Sequence, residues 1–332
     1  MLKRGLLRII SGILILSLVG CSVGKLSKGV NNGETTGNIS GYTDGNESEY
    51  EIKGEEEKMI EKDKPVPFSY VPNQREDGDE REIVCWGDSM TEGYGSTDGE
   101  VERNGVVYDI SGLSYPEMLA GLTGLHTFNF GVSGANSLEI CMMQGAYPMN
   151  TENMEKITAD GRSSRIRPSV VKEGKDHPGD ILILEIGSNG GWDDDYQVLI
   201  DQYRAMVEHS GCENYIIVGD TDDMGNSAST KVVAEEDASY SEETGYKAIY
   251  ETSWDKALEE AFGEHFINMR AYILQNGMEM CHLTPSDEEE YQLSAGMIPD
   301  QLRSDWTHFT CYGYYVQAVG IYEKGIELGY WK

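Results

Sequence analysis

The sequence predicts an α/β fold: a three-layer sandwich in which a central parallel sheet of about five strands is flanked by helices. Three observations lead to it. From residue 83 onward, short apolar runs alternate with stretches of helical periodicity, as in parallel strands joined by crossover helices. The clearest run, within 180–186, is apolar at consecutive positions, as expected of a buried strand. The roughly 250 residues of 79–332 suffice for one such domain.

The elements are predicted in the following order. Strands are expected at 83–86, 126–130, 180–186, 215–218 and 265–269, and helices at 115–122, 137–143, 193–209, 246–262 and 312–327. A polar loop is expected at 95–112. Three further segments rich in proline, glycine or acidic residues are predicted as insertions: 144–178 with little helix, 221–245 as a loop or surface lid, and 277–300 as an irregular excursion.

Residues 1–20 have the features of a lipoprotein signal peptide. A basic start precedes an apolar stretch at 9–20 that is too short to span a bilayer as a helix. The ending Leu-Val-Gly-Cys at 18–21 resembles a bacterial lipobox, which implies cleavage before Cys21 and lipidation of its thiol. An uncleaved anchor is the alternative. In both cases the protein is expected outside the cytoplasm, and the lipobox implies a lipid anchor in a bacterial cell membrane.

Residues 21–78 are predicted to be a disordered tether between the lipidated Cys21 and the folded domain. The segment is rich in Gly, Ser, Asn and Thr and then in charged residues, and it has no apolar periodicity. Such a composition buries too little apolar surface to offset the entropy of ordering. A flexible linker of this length would let the domain reach tens of ångströms from the membrane.

The charge and the cysteines limit the kinds of partner. With 26 Lys and Arg against 58 Asp and Glu, the formal net charge is −32, which argues against nucleic acid and against docking on anionic lipid head groups. The membrane is therefore expected as a partner only through the lipid anchor. Besides Cys21 there are five widely spaced cysteines without a C-x-x-C pair, so neither a metal site nor a cofactor is expected; a disulfide among them stays open.

A short polar turn directly after the first predicted strand contains the candidate nucleophile, Ser89. Gly87-Asp88-Ser89 alone could arise by chance, but a hydroxyl becomes a nucleophile when a base, an orienting acid and oxyanion donors accompany it. Two later strands also end in small or amide residues, at 131–137 and 187–191. His308 is the best candidate base among the six histidines, because Asp305 precedes it by three residues.

Four short motifs resemble, in order, the sequence blocks of the SGNH, or GDSL-like, hydrolases. They are Gly87-Asp88-Ser89, Gly131-Val132-Ser133-Gly134, Gly187-Ser188-Asn189-Gly190 and Asp305-Trp306-Thr307-His308. Each is weak alone, but four in the right order at strand ends make a strong match over about residues 80–325, so 79–332 is taken as one hydrolase domain. The resemblance implies a nucleophile at Ser89, a general base and later acid at His308, and an orienting carboxylate at Asp305.

The resemblance also implies an oxyanion hole made of the Ser89 N–H, the Gly134 N–H and the Asn189 side-chain amide. Gly131 is a second candidate for the glycine of this hole. One departure is Gly190, where many members have Asp after the Asn, and it leaves the local loop geometry open. Other motif positions support the turns, with Asp88 expected to fix the turn before the nucleophile: Gly87, Asp88 and Gly187.

These assignments predict a serine esterase that acts through an acyl-enzyme on an acylated small molecule or polysaccharide, with removal of acetyl groups from carbohydrate as the best fit. Aromatic side chains beside the motifs could stack on a sugar ring or could simply pack around the site: Tyr94, Trp192 and Trp306.

Two alternatives stay open. A lipase or thioesterase for longer acyl chains would need an apolar groove, which methionines within 142–149 could supply. The other alternative is a surface lipoprotein that binds carbohydrate without turnover. Arg162, Arg165 and Arg167 could recognise an anionic substrate group or could belong to a solvated structural loop.

Overall fold

The computed structural model describes residues 65–68, 77–159, 161–221, 239–240, 247–248 and 252–331. The predicted signal peptide, the lipidation site Cys21, most of the tether and most of the 221–245 insertion lie outside these ranges. Within them, no helix combines the length and apolar character needed to cross a membrane.

Ten strands and ten α-helices are described. The strands are β1 (Val66–Pro67), β2 (Glu82–Gly87), β3 (Glu100–Arg103), β4 (Val106–Asp109), β5 (His126–Gly131), β6 (Ile181–Glu185), β7 (Asn214–Val218), β8 (Ser239–Tyr240), β9 (Lys247–Ala248) and β10 (Phe266–Ile267). The helices are α1 (Ser89–Glu92), α2 (Tyr115–Thr123), α3 (Ser137–Gln144), α4 (Thr151–Thr158), α5 (Pro168–Asp176), α6 (Tyr196–Ser210), α7 (Ser253–Phe262), α8 (Met269–Met280), α9 (Asp287–Ser294) and α10 (Cys311–Glu327).

The central sheet has five strands in the order β10-β7-β6-β2-β5, and all pairs are parallel. This confirms the predicted α/β fold. Taken along the chain, the strands have the doubly wound order 2-1-3-4-5, so the direction of winding reverses between β2 and β6. Open α/β sheets bind their ligands at the carboxyl ends of the strands beside this reversal. The first sheet strand, β2, ends there.

The core lies on both faces of the sheet, because successive side chains of β2 point to opposite sides. Ile83 and Cys85 pack into a cluster that includes residues of α2, α8 and α10. Val84 and Trp86 pack into a second cluster with residues of α3, α6 and α7. All four are at most 2% exposed, so β2 is an interior strand of the middle layer, covered by helices on both faces.

Two regions ahead of β5 differ from the predictions. The expected polar loop at 95–112 contains the antiparallel hairpin β3–β4, which alternates exposed and buried or half-buried side chains in β3. The strand β1 adds to it by parallel pairing with β4, and Phe68 is 5% exposed in the core. Residues 65–68 therefore belong to the folded domain, although the tether was predicted to run to residue 78.

The insertions contain more helix than predicted. Residues 144–178 include α4 and α5 rather than irregular chain, because Asn150 caps the first helix and Pro168 occupies the first turn of the second. Within 277–300, α9 begins at a capping box made by Ser286 and Glu289, and its first turn is acidic, which suits the helix dipole.

Two further boundaries were wrong. The helix predicted at 246–262 begins at Ser253, where Thr252 and Asp255 form a capping box, and Lys247–Ala248 is a strand. The last strand of the sheet is shorter than the predicted 265–269, because Asn268 caps the helix that starts at Met269.

Candidate active site

The predicted nucleophile Ser89 is the first residue of α1, directly after β2, at the reversal point of the sheet. A side chain at Gly87 would bring its Cβ to 2.7 Å from the Glu185 carbonyl oxygen, so only glycine fits where β2 meets β6. Asp88 then caps α1 by accepting a hydrogen bond from the Met90 N–H at 3.0 Å. Strand packing and this cap together set the position of the serine.

His308 lies within hydrogen-bond distance of Ser89, 219 residues away in the chain. Its Nε2 is 2.9 Å from the Ser89 Oγ, and its Nδ1 is 2.8 Å from the Asp305 Oδ2. An ionised carboxylate only accepts hydrogen bonds, so Nδ1 carries the proton and Nε2 is left to accept the hydroxyl proton of the serine. The three predicted residues thus form one continuous chain of hydrogen bonds.

The loop that carries Asp305 and His308 is held largely by its own backbone. The Asp305 Oδ1 accepts hydrogen bonds from the Thr307 and His308 N–H groups at 2.9 and 2.8 Å. Partial burial acts to raise the pKa of Asp305, but the hydrogen bonds from His308 and Thr307 outweigh it and hold the pKa below its ordinary value. The Asp305 carboxylate therefore stays charged next to the imidazole.

Arg303 stabilises the base of this loop. Its guanidinium donates to the Trp306 and Thr307 carbonyl oxygens at 2.8 and 3.2 Å, and a β-bridge joins Arg303 to Phe309. Because α10 starts two residues after the buried Phe309, the loop is anchored to the longest described helix. No signal in the sequence indicated this role for Arg303.

Asn189 reaches the site from the loop after β6. Its Nδ2 donates to the Asp88 Oδ2 at 2.9 Å, so one amide hydrogen fixes the side chain and the other is left for a ligand. Burial raises the pKa of Asp88 to about 6, against the effect of the hydrogen bonds from Met90 and Asn189, and the nearby Asp220 raises it further. Asp88 therefore orients the amide and stands apart from the imidazole chain.

The loop after β5 supplies the predicted backbone donor. Gly134 has a φ of +72°, and within the described part of the chain neither its N–H nor that of Ser89 has a hydrogen-bond acceptor. Gly131 is different, because its Cα faces the main chain of Glu92 so closely that no side chain would fit. The geometry therefore favours Gly134 over Gly131 as the donor and gives Gly131 a packing role.

Glu92 and Gly190 connect these loops. The Glu92 carboxylate accepts hydrogen bonds from the Ser133 N–H, at 2.7 Å, and from its hydroxyl, which ties α1 to the Gly134 loop. The Gly190 carbonyl accepts from the Ser137 N–H and hydroxyl, both at 3.0 Å. Gly190 has a φ of +75°, which explains why glycine stands at this departure from the family pattern. The link by Glu92 was not predicted, although Glu92 follows Ser89 by only three residues in α1.

The predicted aromatic and methionine residues separate into two groups. Tyr94 and Trp306 are 58% and 67% exposed, and the Tyr94 ring lies 4.6 Å from the His308 ring between centroids. Trp192 is fully buried and donates to the Gly187 carbonyl, so it cannot stack on a sugar. Of the three methionines within 142–149, Met142 and Met143 are buried in the core, whereas Met149 is 46% exposed.

The described cysteines form no disulfide with one another. All five described cysteines are free and buried: Cys85, Cys141, Cys212, Cys281 and Cys311. In those same ranges, no group of three His, Cys, Asp or Glu side chains is arranged to hold a metal ion.

Neither a protein-family model nor a curated protein matches the sequence. Solved structures match at low similarity. One is a salicylyl-acyltransferase from a tetracycline biosynthetic pathway, with 13% identity and a TM-score of 0.38 over 77% of this chain and 56% of that one. Another is a protein described as a GDSL-like lipase from Parabacteroides merdae, with 12% identity and a TM-score of 0.34 over 74% of this chain and 95% of that one.

A third is a carbohydrate esterase family 2 enzyme with a carbohydrate-binding domain from Corynascus thermopiles, with 14% identity and a TM-score of 0.39 over 78% of this chain and 69% of that one. The chain spans little more than half of the acyltransferase, at 56%. The neighbours include the family that the four motifs resemble, but at such TM-scores the likeness carries no weight for function. The functional assignment therefore depends on the residues around Ser89.

Proposed function

We propose that the protein is an extracytoplasmic serine esterase that removes small acyl groups, foremost acetyl, from carbohydrate through an acyl-enzyme. One observation carries the proposal: Ser89, His308 and Asp305 form an unbroken chain of hydrogen bonds of 2.8–2.9 Å at the reversal point of the sheet. A hydroxyl, an imidazole and a carboxylate in this order are what serine hydrolysis requires.

The reaction runs in two halves. The Ser89 Oγ attacks the ester carbonyl carbon while His308 Nε2 takes its proton, and Asp305 stabilises the imidazolium that forms. His308 then gives the proton to the departing alcohol oxygen, which leaves the acyl group on Ser89. Water attacks this ester, His308 takes a proton from the water and returns it to Ser89, and the acid is released.

Three donors are proposed to stabilise the negative oxygen of the tetrahedral intermediates. The N–H groups of Ser89 and Gly134 have no acceptor among the described residues, and Asn189 has one amide hydrogen left after its bond to Asp88. Preorganised donors of this kind act on charge that develops only in the transition state. Loss of one typically costs about 2.7–4 kcal/mol of transition-state stabilisation.

A small acyl group on a polar carrier is supported by what surrounds the serine. Tyr94 and Trp306 offer exposed aromatic rings on which a sugar could stack, and the Tyr94 ring lies beside the His308 imidazole. Of the three methionines that could have formed an apolar groove for a long chain, Met142 and Met143 are buried and only Met149 is exposed. The proposal therefore prefers acetylated carbohydrate over a lipase or thioesterase substrate.

The test compares two substrates. Wild-type protein is expected to release acetate from acetylated xylan, and Ser89→Ala is expected to release none above the uncatalysed rate. Faster hydrolysis of long-chain nitrophenyl esters than of acetyl esters would overturn the substrate choice. Binding of the polysaccharide without release of acetate would instead support a non-catalytic lipoprotein.

The proposed location has its own test. Expression in a bacterial host is expected to leave the wild-type protein in the membrane fraction, with a lipid on Cys21, and Cys21→Ser is expected to abolish that lipidation. An unmodified Cys21 thiol in membrane-bound protein would indicate the alternative, an uncleaved anchor.

A further inference from the structure

Three arginines of the segment between α4 and α5 lie against the loop that contains Gly134, the proposed oxyanion donor. Arg162 donates to the Gly134 carbonyl oxygen at 2.6 Å. The Arg165 side chain borders the Cα of the same glycine, since a Cβ built there would lie 3.4 Å from its Nε. Arg167 pairs with Glu92, which in turn holds Ser133.

Two of the three charges are already neutralised by acids. Arg162 forms an ion pair of 2.9 Å with Glu139, whose side chain is fully buried. Arg167 forms an ion pair of 2.8 Å with Glu92. Partial burial acts to raise the pKa of Glu92, but the hydrogen bonds from Arg167 and Ser133 outweigh it and hold the pKa below its ordinary value. These two arginines are structural.

Arg165 has a different environment. Its main-chain N–H donates to the Glu139 Oε1 at 2.6 Å, which fixes its backbone beside the Gly134 loop. Its side chain is exposed and makes no hydrogen bond or ion pair with another described residue. Glu139 and Glu92, the acids bound to this segment, each have an arginine partner already. One positive charge is therefore left over at the edge of the proposed oxyanion hole, in a protein with a net charge of −32.

We infer that Arg165 binds a carboxylate carried by the substrate close to the scissile ester. An arginine fork matches a carboxylate through two parallel hydrogen bonds, which gives orientation as well as attraction. A single carboxylate fits better than a polyanion, because the acidic surface repels an extended chain of negative charge. The inference rests on the proposed function and specifies its substrate class.

The carboxylate could come from either side of the ester. On the acceptor side it would belong to the alcohol, as in an acylated acidic sugar; on the acyl side it would be the far end of a dicarboxylic half-ester. Both present the same chemistry to Arg165. Two pairs of matched esters distinguish them: 4-acetoxybenzoate with its methyl ester for the acceptor side, and 4-nitrophenyl hydrogen adipate with 4-nitrophenyl hexanoate for the acyl side.

The experiment measures kcat/KM for all four esters with wild-type protein, Arg165→Gln, Arg165→Lys and the control Lys172→Gln, which removes an exposed positive charge from α5. In the ester pair whose carboxylate lies on the side that Arg165 binds, Arg165→Gln is expected to lower the ratio of kcat/KM for the anionic ester to kcat/KM for the neutral ester by about tenfold. This is the effect of losing one charge-assisted contact. Arg165→Lys should retain part of that ratio, and Lys172→Gln should leave it within about twofold of the wild-type value.

Two results separate failure of the inference from failure of the proposed function. If wild-type protein hydrolyses these esters and Arg165→Gln changes both members of each pair by the same factor, Arg165 has no role in recognising a carboxylate. If wild-type protein hydrolyses no ester of either pair and releases no acetate from acetylated xylan, the proposed function itself is wrong.

Discussion

Asp88 and Asp305 are two carboxylates near the proposed nucleophile, and their surroundings shift their pKa values in opposite directions. Asp88 is 1% exposed, and its burial raises its pKa to about 6. Asp305 has a side chain that is 41% exposed, and three donors from Thr307 and His308 hold its pKa below the ordinary value. Both residues belong to sequence motifs, so motif membership does not distinguish their roles. The number of hydrogen-bond donors around each carboxylate and its degree of burial do.

The difference assigns them different tasks. A carboxylate that stays ionised can stabilise an imidazolium, so Asp305 suits the acid of the hydrogen-bond chain. A buried carboxylate between the Met90 N–H and the Asn189 amide holds geometry instead. The surroundings of Asp88 come from segments far apart in the chain, such as the loop that carries Asn189. Asp305 instead lies in a local turn, three residues before His308.

The largest effect is expected from Asp305→Asn. An Asn in this position can donate to Nδ1 and so favours the wrong imidazole tautomer, which should lower kcat by about 10³–10⁴. The measurement is the steady-state rate on an acetyl ester, with Asp300→Asn as a control at an exposed acid of the same region. A fall of less than tenfold in Asp305→Asn would remove the assigned role.

The second effect concerns the amide that Asp88 orients. Asn189→Ala is expected to lower kcat by about 10²–10³ with little change in KM, because the donor acts on charge that forms in the transition state. Asn189→Asp is the size-matched variant, and it should lose as much activity because a carboxylate cannot donate. Retention of activity by Asn189→Asp would show that the side chain only fills space.

The third effect tests whether Asp88 is the carboxylate whose charged form is destabilised by burial. A pKa raised from 3.8 to about 6 means that the folded protein binds the Asp88 proton more tightly than the unfolded chain does. The stability that protonated Asp88 contributes to the fold is complete below pH 3.8 and is lost as the pH rises through about 6. Asp88→Asn does not lose this stability, because its amide does not ionise. The difference in unfolding free energy between Asp88→Asn and wild type should therefore shift in favour of the variant by about 2 kcal/mol between pH 4 and pH 7.

Denaturant unfolding at several pH values measures this shift. Asp305→Asn should show the opposite trend. The lowered pKa of Asp305 stabilises the wild-type fold at pH values above the ordinary aspartate pKa, and this stabilisation is lost as the pH falls through the folded-state pKa. A flat difference curve for Asp88→Asn would mean that the buried carboxylate carries no desolvation cost. The two carboxylates would then not be distinguished as described.

The sequence predicted the sheet and the positions of the motif residues because both depend on short-range signals. Glycines stand where a strand ends, as at Gly87, and an acid three residues before His308 is a local pattern. The hairpin β3–β4 was missed because its strands are only four residues each and one face is polar. The helix α5 was missed because Pro168 suggested irregular chain, whereas proline is well suited to the first turn of a helix.

Contacts between distant segments could not be predicted at all. Burial of Trp192 against Trp254, and of Met142 and Met143 in the core, follows from packing of helices on the sheet. The ion pair of Arg167 with Glu92 joins residues 75 apart and has no sequence signal. These contacts changed the interpretation of the substrate, while the local motifs had already indicated the nucleophile.

The most direct measurement of the central claim is covalent labelling of the serine. Wild-type protein treated with a fluorophosphonate should gain one adduct, which peptide mass spectrometry should locate on Ser89. Ser89→Ala should gain none, and Asp305→Asn should react far more slowly than Asp88→Asn because only Asp305 supports the base. No adduct on folded wild-type protein, or an adduct that persists in Ser89→Ala, would contradict the account.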